Sequence, residues 1–166
     1  MKKFSLTVIT VVKNDEKNIE KTIKSIIFQK AIKFEYIIVD GGSNDKTLKI
    51  IKKYKSFIKK IISEKDVGIY DAMNKGIKKS NNDIIVFCNS GDSFYKNSLK
   101  NVIKIFNEKN VDFVFGTVRR NYTRTSIVKF GFDPKRIFYN FDFATAHSTG
   151  FFLKQKIYKK IGLYDL

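Results

Sequence analysis

The chain has 166 residues, 43% of them hydrophobic, which is about one domain with enough apolar material for a packed core. Lys and Arg number 33 against 16 Asp and Glu, and one proline with no low-complexity run excludes a disordered chain. A single cysteine, Cys88, excludes an intrachain disulfide and points to a reducing, cytoplasmic compartment.

Basic residues near the start, Lys2 and Lys3, precede an apolar run over residues 6–12. That run is too short to span a membrane. It passes into Lys13, Asn14, Asp15 and Glu16 without a small-residue cleavage site, so it does not read as a signal peptide. The run reads instead as a first, buried parallel strand. Asn14 or Asp15 is expected to cap the helix that follows, whose apolar face is Ile19, Ile23, Ile26 and Ile27. Residues 34–39 form a second buried strand ending at Asp40. Gly41 and Gly42 then turn the chain, and Ser43 and Asn44 are read as caps of a helix with Leu48, Ile51 and Tyr54 inward.

Residues 58–62 read as a short third strand. Ile69, Met73 and Ile77 lie four apart on a third helix, with Gly76 as its C-cap. Residues 84–88 are a fourth strand, followed by a helix presenting Leu99, Val102, Ile103 and Phe106. Strand and helix alternate four times, which predicts an α/β fold: a mostly parallel twisted sheet with helices on both faces. Beyond it, residues 113–118 read as one strand with residues 126–130 as its partner. Pro134 starts a turn or short helix, residues 149–153 form a strand, and residues 155–161 form a last helix.

Ligands of open α/β sheets bind at the carboxyl ends of the strands. Two strands end there in acidic, glycine-containing turns: DGGSND (residues 40–45) and NSGD (residues 89–92). Gly41 and Gly42 leave space above Asp40, whose carboxylate can accept the imide N–H of a uracil or thymine ring. NSGD suits a diphosphate, because a divalent metal (Mn²⁺ or Mg²⁺) held by a carboxylate neutralises the leaving charge as a Lewis acid. Asp92 is the carboxylate of that turn. The amphipathic helix of residues 66–76 leaves Tyr70, Asp71, Asn74 and Lys75 unexplained by packing. G-x-G-x-x-G, a cysteine–histidine zinc pattern and a nucleophile elbow are all absent.

The ordered set TVITVVKND, SIIFQ, EYIIVDGGSNDKT, GIYDAMNKGI, IIVFCNSGDSF and HSTGFFLKQKIYKKIGLYD resembles a bacterial family-two glycosyltransferase of the GT-A fold, a Rossmann-like nucleotide-binding domain. The resemblance covers nearly the whole chain. It implies transfer of a sugar from a nucleotide-diphosphate sugar, of UDP or dTDP type, to a glycan or lipid-linked acceptor with inversion, as in surface polysaccharide biosynthesis. Carried over, Val11, Lys13, Asp40, Asn74, Asn89 and Gly91 fall in the nucleotide-sugar site, Asp92 is the metal ligand, and His147 lies on the acceptor side. Residues 1–95 would be the nucleotide-sugar half and residues 96–166 the start of the acceptor half.

Two departures accompany the resemblance. Asn89 and Gly91 stand where many members carry Asp, so the side-chain contact to ribose is missing at Gly91. The family's catalytic base follows the G-x-[FY]-D turn, here residues 162–165, and Leu166 is the last residue. The chain therefore reads as truncated, with the base unassigned and Asp142 and Asp165 only substitutes for it. Such a chain is expected to bind donor and transfer little sugar. Without transfer it would be a nucleotide-sugar binding fragment. A basic nucleic-acid-binding protein is the less favoured alternative, because the lysines are scattered over helix faces rather than gathered in one stripe. The charge is read first as compositional, since Lys, Ile, Asn and Phe are enriched together as in an A/T-rich coding sequence, and beside that as fitting a peripheral contact at the inner face of the cell membrane, where lipid-linked acceptors reside.

Overall fold

The structure, a computed structural model, describes residues 3–121, 127–130 and 148–166. The described strands are β1 (Leu6–Val12), β2 (Glu35–Asp40), β3 (Lys60–Ser63), β4 (Ile84–Phe87), β5 (Phe113–Phe115), β6 (Val118–Asn121), β7 (Ile127–Phe130) and β8 (Phe151–Lys154). The helices are α1 (Ile19–Ile27), α2 (Thr47–Lys53), α3 (Ile69–Lys79), α4 (Ser98–Glu108) and α5 (Gln155–Ile161). Six strands make one sheet in the order β3-β2-β1-β4-β8-β5, and β6 pairs with β7 as a separate ribbon. β1 to β4 are mutually parallel, while β8 runs antiparallel to both β4 and β5. The expected mostly parallel α/β sheet is therefore present.

Every residue of β1 is buried, because both of its faces are covered. Leu6, Val8 and Val12 enter a core shared with Ile19, Ile23 and Ile26 of α1, Ile51 of α2 and Leu99, Val102 and Phe106 of α4. Ile9 and Val11 point the other way, into a core with Ala72, Met73 and Ile77 of α3 and Tyr158 of α5. Successive strand side chains alternate faces, so one apolar heptapeptide serves two helix layers. Among the described residues no helix is long and apolar enough to cross a membrane.

Several local expectations are corrected. α1 starts at Ile19, not beside Asn14 or Asp15; the Asp15 carbonyl accepts the Asn18 and Ile19 amides at 3.3 and 3.1 Å, closing a turn before the helix. α2 starts at Thr47, because Ser43 is engaged by Asp40 and the Thr47 amide donates to Asp45 Oδ1 at 2.9 Å. Ile58 is buried but precedes β3. Ile69 is 51% exposed, so α3 packs through Ala72, Met73 and Ile77. Residues 113–118 are two strands, broken where the Gly116 amide donates to the Gly150 carbonyl at 2.6 Å. β7 pairs with the second piece, Val118 facing Phe130. Residues 148–150 form a 3₁₀ turn before β8. Pro134 and Ser126 lie outside the described residues.

Gly76 is not a C-cap either, since α3 continues to Lys79. A Cβ at Gly76 would lie 2.6 Å from Ile9 Cγ2, so the missing side chain lets the helix approach β1. Gly76→Ala should therefore destabilise the protein. The helix-propensity gain of about 1 kcal/mol is set against overpacking of about 1–3 kcal/mol. A lower urea midpoint is the expected outcome; a higher one would mean that the helix can move off the sheet at little cost.

Candidate nucleotide and metal site

The site is built at the carboxyl edge of the parallel strands. β1 and β2 pair so that Val12 lies beside Asp40, and β3 places Ser63 on the other side of Asp40. The chain after β1 is joined to the chain after β2 by reciprocal bonds. The Asn14 amide donates to Ser43 Oγ at 2.8 Å, the Asn44 amide to Asn14 Oδ1 at 2.9 Å, and the Asp15 amide to Thr47 Oγ1 at 2.9 Å. The two turns thus form one rigid rim.

Asp40 has no exposed surface. Its carboxylate accepts the Ser43 hydroxyl at 2.5 Å, the Ser63 hydroxyl at 2.7 Å and the Ser43 amide at 3.3 Å. It is the anchor of the rim and does not face the cleft. The carboxylate that does is Asp66, in the segment before α3. A Cβ on Gly41 would lie 2.0 Å from Asp66 Oδ2, so Asp66 occupies the space that Gly41 leaves. Lys13 Nζ stands 3.7 Å from Asp66 Oδ1. Val11, Lys13, Asp66, Val67, Ile69 and Ala72 are among the residues lining a cleft of about 470 Å³. Val11 and Lys13 therefore line a cleft at the strand end together with Asp66, an acid that lies far from them in sequence.

The second turn is held as firmly. Past β4, the Cys88 amide donates to the Ile9 carbonyl at 2.9 Å and the Ser90 amide to the Val11 carbonyl at 3.1 Å, which carries the chain along β1. The Asp92 amide closes the turn on the Asn89 carbonyl at 2.9 Å. Gly91 takes φ +94°, a conformation that other residues resist. Ser90 Oγ donates to Asp15 Oδ2 at 2.6 Å, and Thr149 Oγ1 donates to Asp92 Oδ2. Asn89 Nδ2 donates to Ser148 Oγ at 3.3 Å, whereas Asn89 Oδ1 is buried and, among the described residues, has no donor. Gly91 and Asp92 border a cleft of about 460 Å³ together with Lys21, Tyr95 and Thr117. Burial, with the nearby Asp92 charge, pushes the Cys88 thiol well above its usual range.

These donors suit a hard divalent cation. Such ions take oxygen ligands and keep waters or phosphate oxygens, so two protein oxygens in one turn suffice. Among the described residues no three His, Cys, Asp or Glu side chains gather. The orphaned Asn89 Oδ1 is the kind of acceptor that a cation satisfies.

Asn74 is turned away from both clefts. Its Nδ2 donates to the Tyr164 carbonyl at 2.8 Å and its Oδ1 accepts the Tyr164 amide at 3.0 Å. Tyr164 stacks on Tyr70 with centroids 5.3 Å apart. The polar face of α3 is thus a clasp for the turn after α5, and Asp165 is exposed beside it. Asp71 and Lys75 pair at 3.0 Å, and that contact lowers the Asp71 carboxyl below its usual range. Asp142 and His147 lie outside the described residues.

Residues 7–162 match the profile of glycosyl transferase family 2. The chain belongs to that family. It is 32% identical over 121 residues to the poly(ribitol-phosphate) beta-N-acetylglucosaminyltransferase TarP of Staphylococcus aureus, a match spanning 70% of this chain and 36% of TarP. Its fold is similar to that of S. aureus TarS, solved with UDP-GlcNAc: TM-score 0.78 and 21% identity over 94% of this chain and 47% of TarS. It is also similar to the mannosyltransferase PcManGT of Pyrobaculum calidifontis, solved with GDP-Man and Mn²⁺, at TM-score 0.75 and 18% identity over 99% of this chain and 48% of that one. The chain thus spans less than half the length of each of these relatives.

Different substitutions should separate the two acids. Asp40→Asn turns an amide N–H₂ toward hydroxyl donors in a closed site and should destabilise the fold by about 1–3 kcal/mol. Asp66→Asn alters one ion pair with the half-exposed Lys13 and should cost about 1 kcal/mol or less, since its own side chain is largely covered but accepts no enclosed hydroxyl pair. Parallel urea titrations check this; equal losses at both positions would contradict the division into anchor and cleft acid.

Proposed function

We propose that the chain is the donor-binding part of an inverting glycosyltransferase that uses a nucleotide-diphosphate sugar. The observation that carries this reading is the turn of residues 89–92, which sets Asp92 and the unsatisfied Asn89 Oδ1 at the carboxyl edge. Family membership supports the reaction class, and the ligands named for TarS and PcManGT support a nucleotide sugar.

The base would enter the cleft beside Val11 and Lys13, flanked by the apolar surface of Val67 and Ile69. Asp66, which borders the cleft, would accept the imide N–H of uracil or thymine, and Asp40, whose oxygens are taken by Ser43 and Ser63, would order the rim beneath it. Lys13 supplies positive charge beside the cleft. Asp92 and Asn89 would hold Mn²⁺ or Mg²⁺, which as a Lewis acid steadies the departing diphosphate. Gly91 contributes through backbone geometry, having no side chain for the ribose. Transfer needs an acceptor hydroxyl to attack the anomeric carbon as the bond to the diphosphate breaks, with its proton passing to a carboxylate. That carboxylate is left unassigned: Asp165 is exposed next to the Tyr164 clasp and borders neither cleft, and it and Asp142 are only substitutes to test. Residues 1–95 would form the donor half and residues 96–166 the beginning of the acceptor half.

The acceptor we propose is a glycan or a lipid-linked sugar in surface polysaccharide biosynthesis, met at the inner face of the cell membrane. The exposed lysines of α2, Lys49, Lys52 and Lys53, would favour an anionic surface there.

Calorimetry with UDP and CDP tests the donor assignment. UDP should bind more tightly with Mn²⁺ than with a chelator, and Asp92→Ala should remove that difference. CDP, whose base lacks the imide N–H, should bind about tenfold or more weakly than UDP. Asp66→Ala should bring the two nucleotides together. Equal binding of UDP and CDP by the unaltered chain would overturn the assignment of Asp66, and metal-independent binding would overturn that of Asp92.

A further inference from the structure

α1 and the turn that ends it carry three polar side chains that the apolar pattern does not require: Thr22 and Ser25 in the helix and Gln29 just past it. Thr22 has no exposed surface and Gln29 is 4% exposed. Buried polar groups persist where they are hydrogen-bonded, and all three use their bonds on the loop that follows β4. Thr22 Oγ1 accepts the Gly91 amide at 3.0 Å and donates to the Asp92 carbonyl at 2.8 Å. Ser25 Oγ accepts the Phe94 amide at 3.2 Å. Gln29 Nε2 donates to the Tyr95 carbonyl at 2.8 Å, and its Oε1 accepts the Leu99 amide at 3.4 Å. Thr22 and Ser25 are three residues apart and stand on one side of the helix, and Gln29 continues the row in the turn after it.

We propose that Thr22 is a positioning residue for the metal turn and that Ser25 and Gln29 extend its hold along the loop. The inference rests on the metal reading of Asp92. One hydroxyl grips the peptide unit that precedes Gly91 and the one that follows Asp92, and so spans both α-carbons. It therefore fixes the strained glycine conformation and the direction in which the Asp92 side chain leaves the backbone. A cation bound by few protein ligands gains most from such a hold, because a loose turn must be ordered at the moment of binding. Thr22 reaches Asp92 through its backbone carbonyl, and its effect is exerted through the turn.

The test measures Mn²⁺ binding, by the loss of the free-ion electron paramagnetic resonance signal, in the full chain with saturating UDP. Thr22→Val keeps the shape and removes the hydroxyl. It should weaken Mn²⁺ about tenfold, with UDP affinity in chelator unchanged. Thr22→Ser, which restores the hydroxyl, should bind Mn²⁺ as the unaltered chain does. Thr22→Ala repeats the comparison without a methyl facing the two polar groups, and thermal melting accompanies each variant. Gln29→Met, at the far end of the ladder, should weaken Mn²⁺ less than Thr22→Val. Unchanged Mn²⁺ affinity in Thr22→Val, or a Thr22→Ser variant as weak as the valine, overturns the proposal. An equal loss in Gln29→Met overturns it too, since the loop as a whole would then be responsible. Asp92→Ala separates the two levels: if it still binds Mn²⁺, the metal reading itself fails, whatever Thr22 does.

Discussion

A carboxylate with no solvent exposure is tolerable only when its oxygens are hydrogen-bonded, because burying an unsatisfied charge costs several kcal/mol or more. Asp40 meets that condition through Ser43 and Ser63, and in doing so it ties the ends of β2 and β3 to the turn between β2 and α2. Ser43 in turn receives the Asn14 amide from the end of β1. The carboxyl edges of three adjacent strands are thus linked through one buried acid. The cleft beside Val11 and Lys13 takes its shape from that rim, and Asp66 can lie over it because Gly41 carries no side chain. A charge that sequence inspection reads as a ligand contact is better understood as the reason the contact surface is rigid.

The parts of the fold that were legible in the sequence are those set by local pattern. The apolar runs of β1, β2 and β4 have no period-two alternation, which is the mark of strands covered on both faces. α1, α4 and α5 have their apolar residues at helical spacing, and their bounds in the structure follow it. Alternation of strand and helix then leaves few topologies open. The misreadings share a different cause. Gly76 looks like a helix end unless Ile9 is known to lie against it. Residues 113–118 look like one strand unless Gly150 is known to take the Gly116 amide. In each case the deciding neighbour is distant in sequence.

The candidate site divides along the same line. Strand-end turns marked its location, since an acid followed by glycine after an apolar run is a local signal. Roles within it were not legible. Asp40 and Asp66 are both acids near glycines, and only the pairing of β1, β2 and β3 decides which is enclosed. Asn74 lies on a helix whose other polar residues had no evident use, yet its partner is Tyr164, 90 positions away. A signal for Thr22, Ser25 and Gln29 did exist: polar residues on the inward side of an amphipathic helix are anomalous and imply a buried partner. Nothing in the sequence alone says that the partner is the backbone of residues 91–99.

The two clasps, Thr22 on one layer and Asn74 on the other, solve one problem in the same manner. A loop at a sheet edge has backbone groups without ladder partners, and those groups must be satisfied if the loop is to lie against the core. Apolar packing could hold the loops close but would not fix the direction of individual peptide units. A hydroxyl or an amide that both donates and accepts does fix it, because two bonds on adjacent backbone groups leave little freedom of rotation. Such side chains add little net stability, about 1 kcal/mol per bond, so stability alone does not explain polar groups at these enclosed positions. Geometry does: each clasp orders a segment that carries a carboxylate, Asp92 in one case and Asp165 in the other. The polar residues of α1 and α3 are therefore best read as setting where those two acids stand relative to a rigid sheet edge.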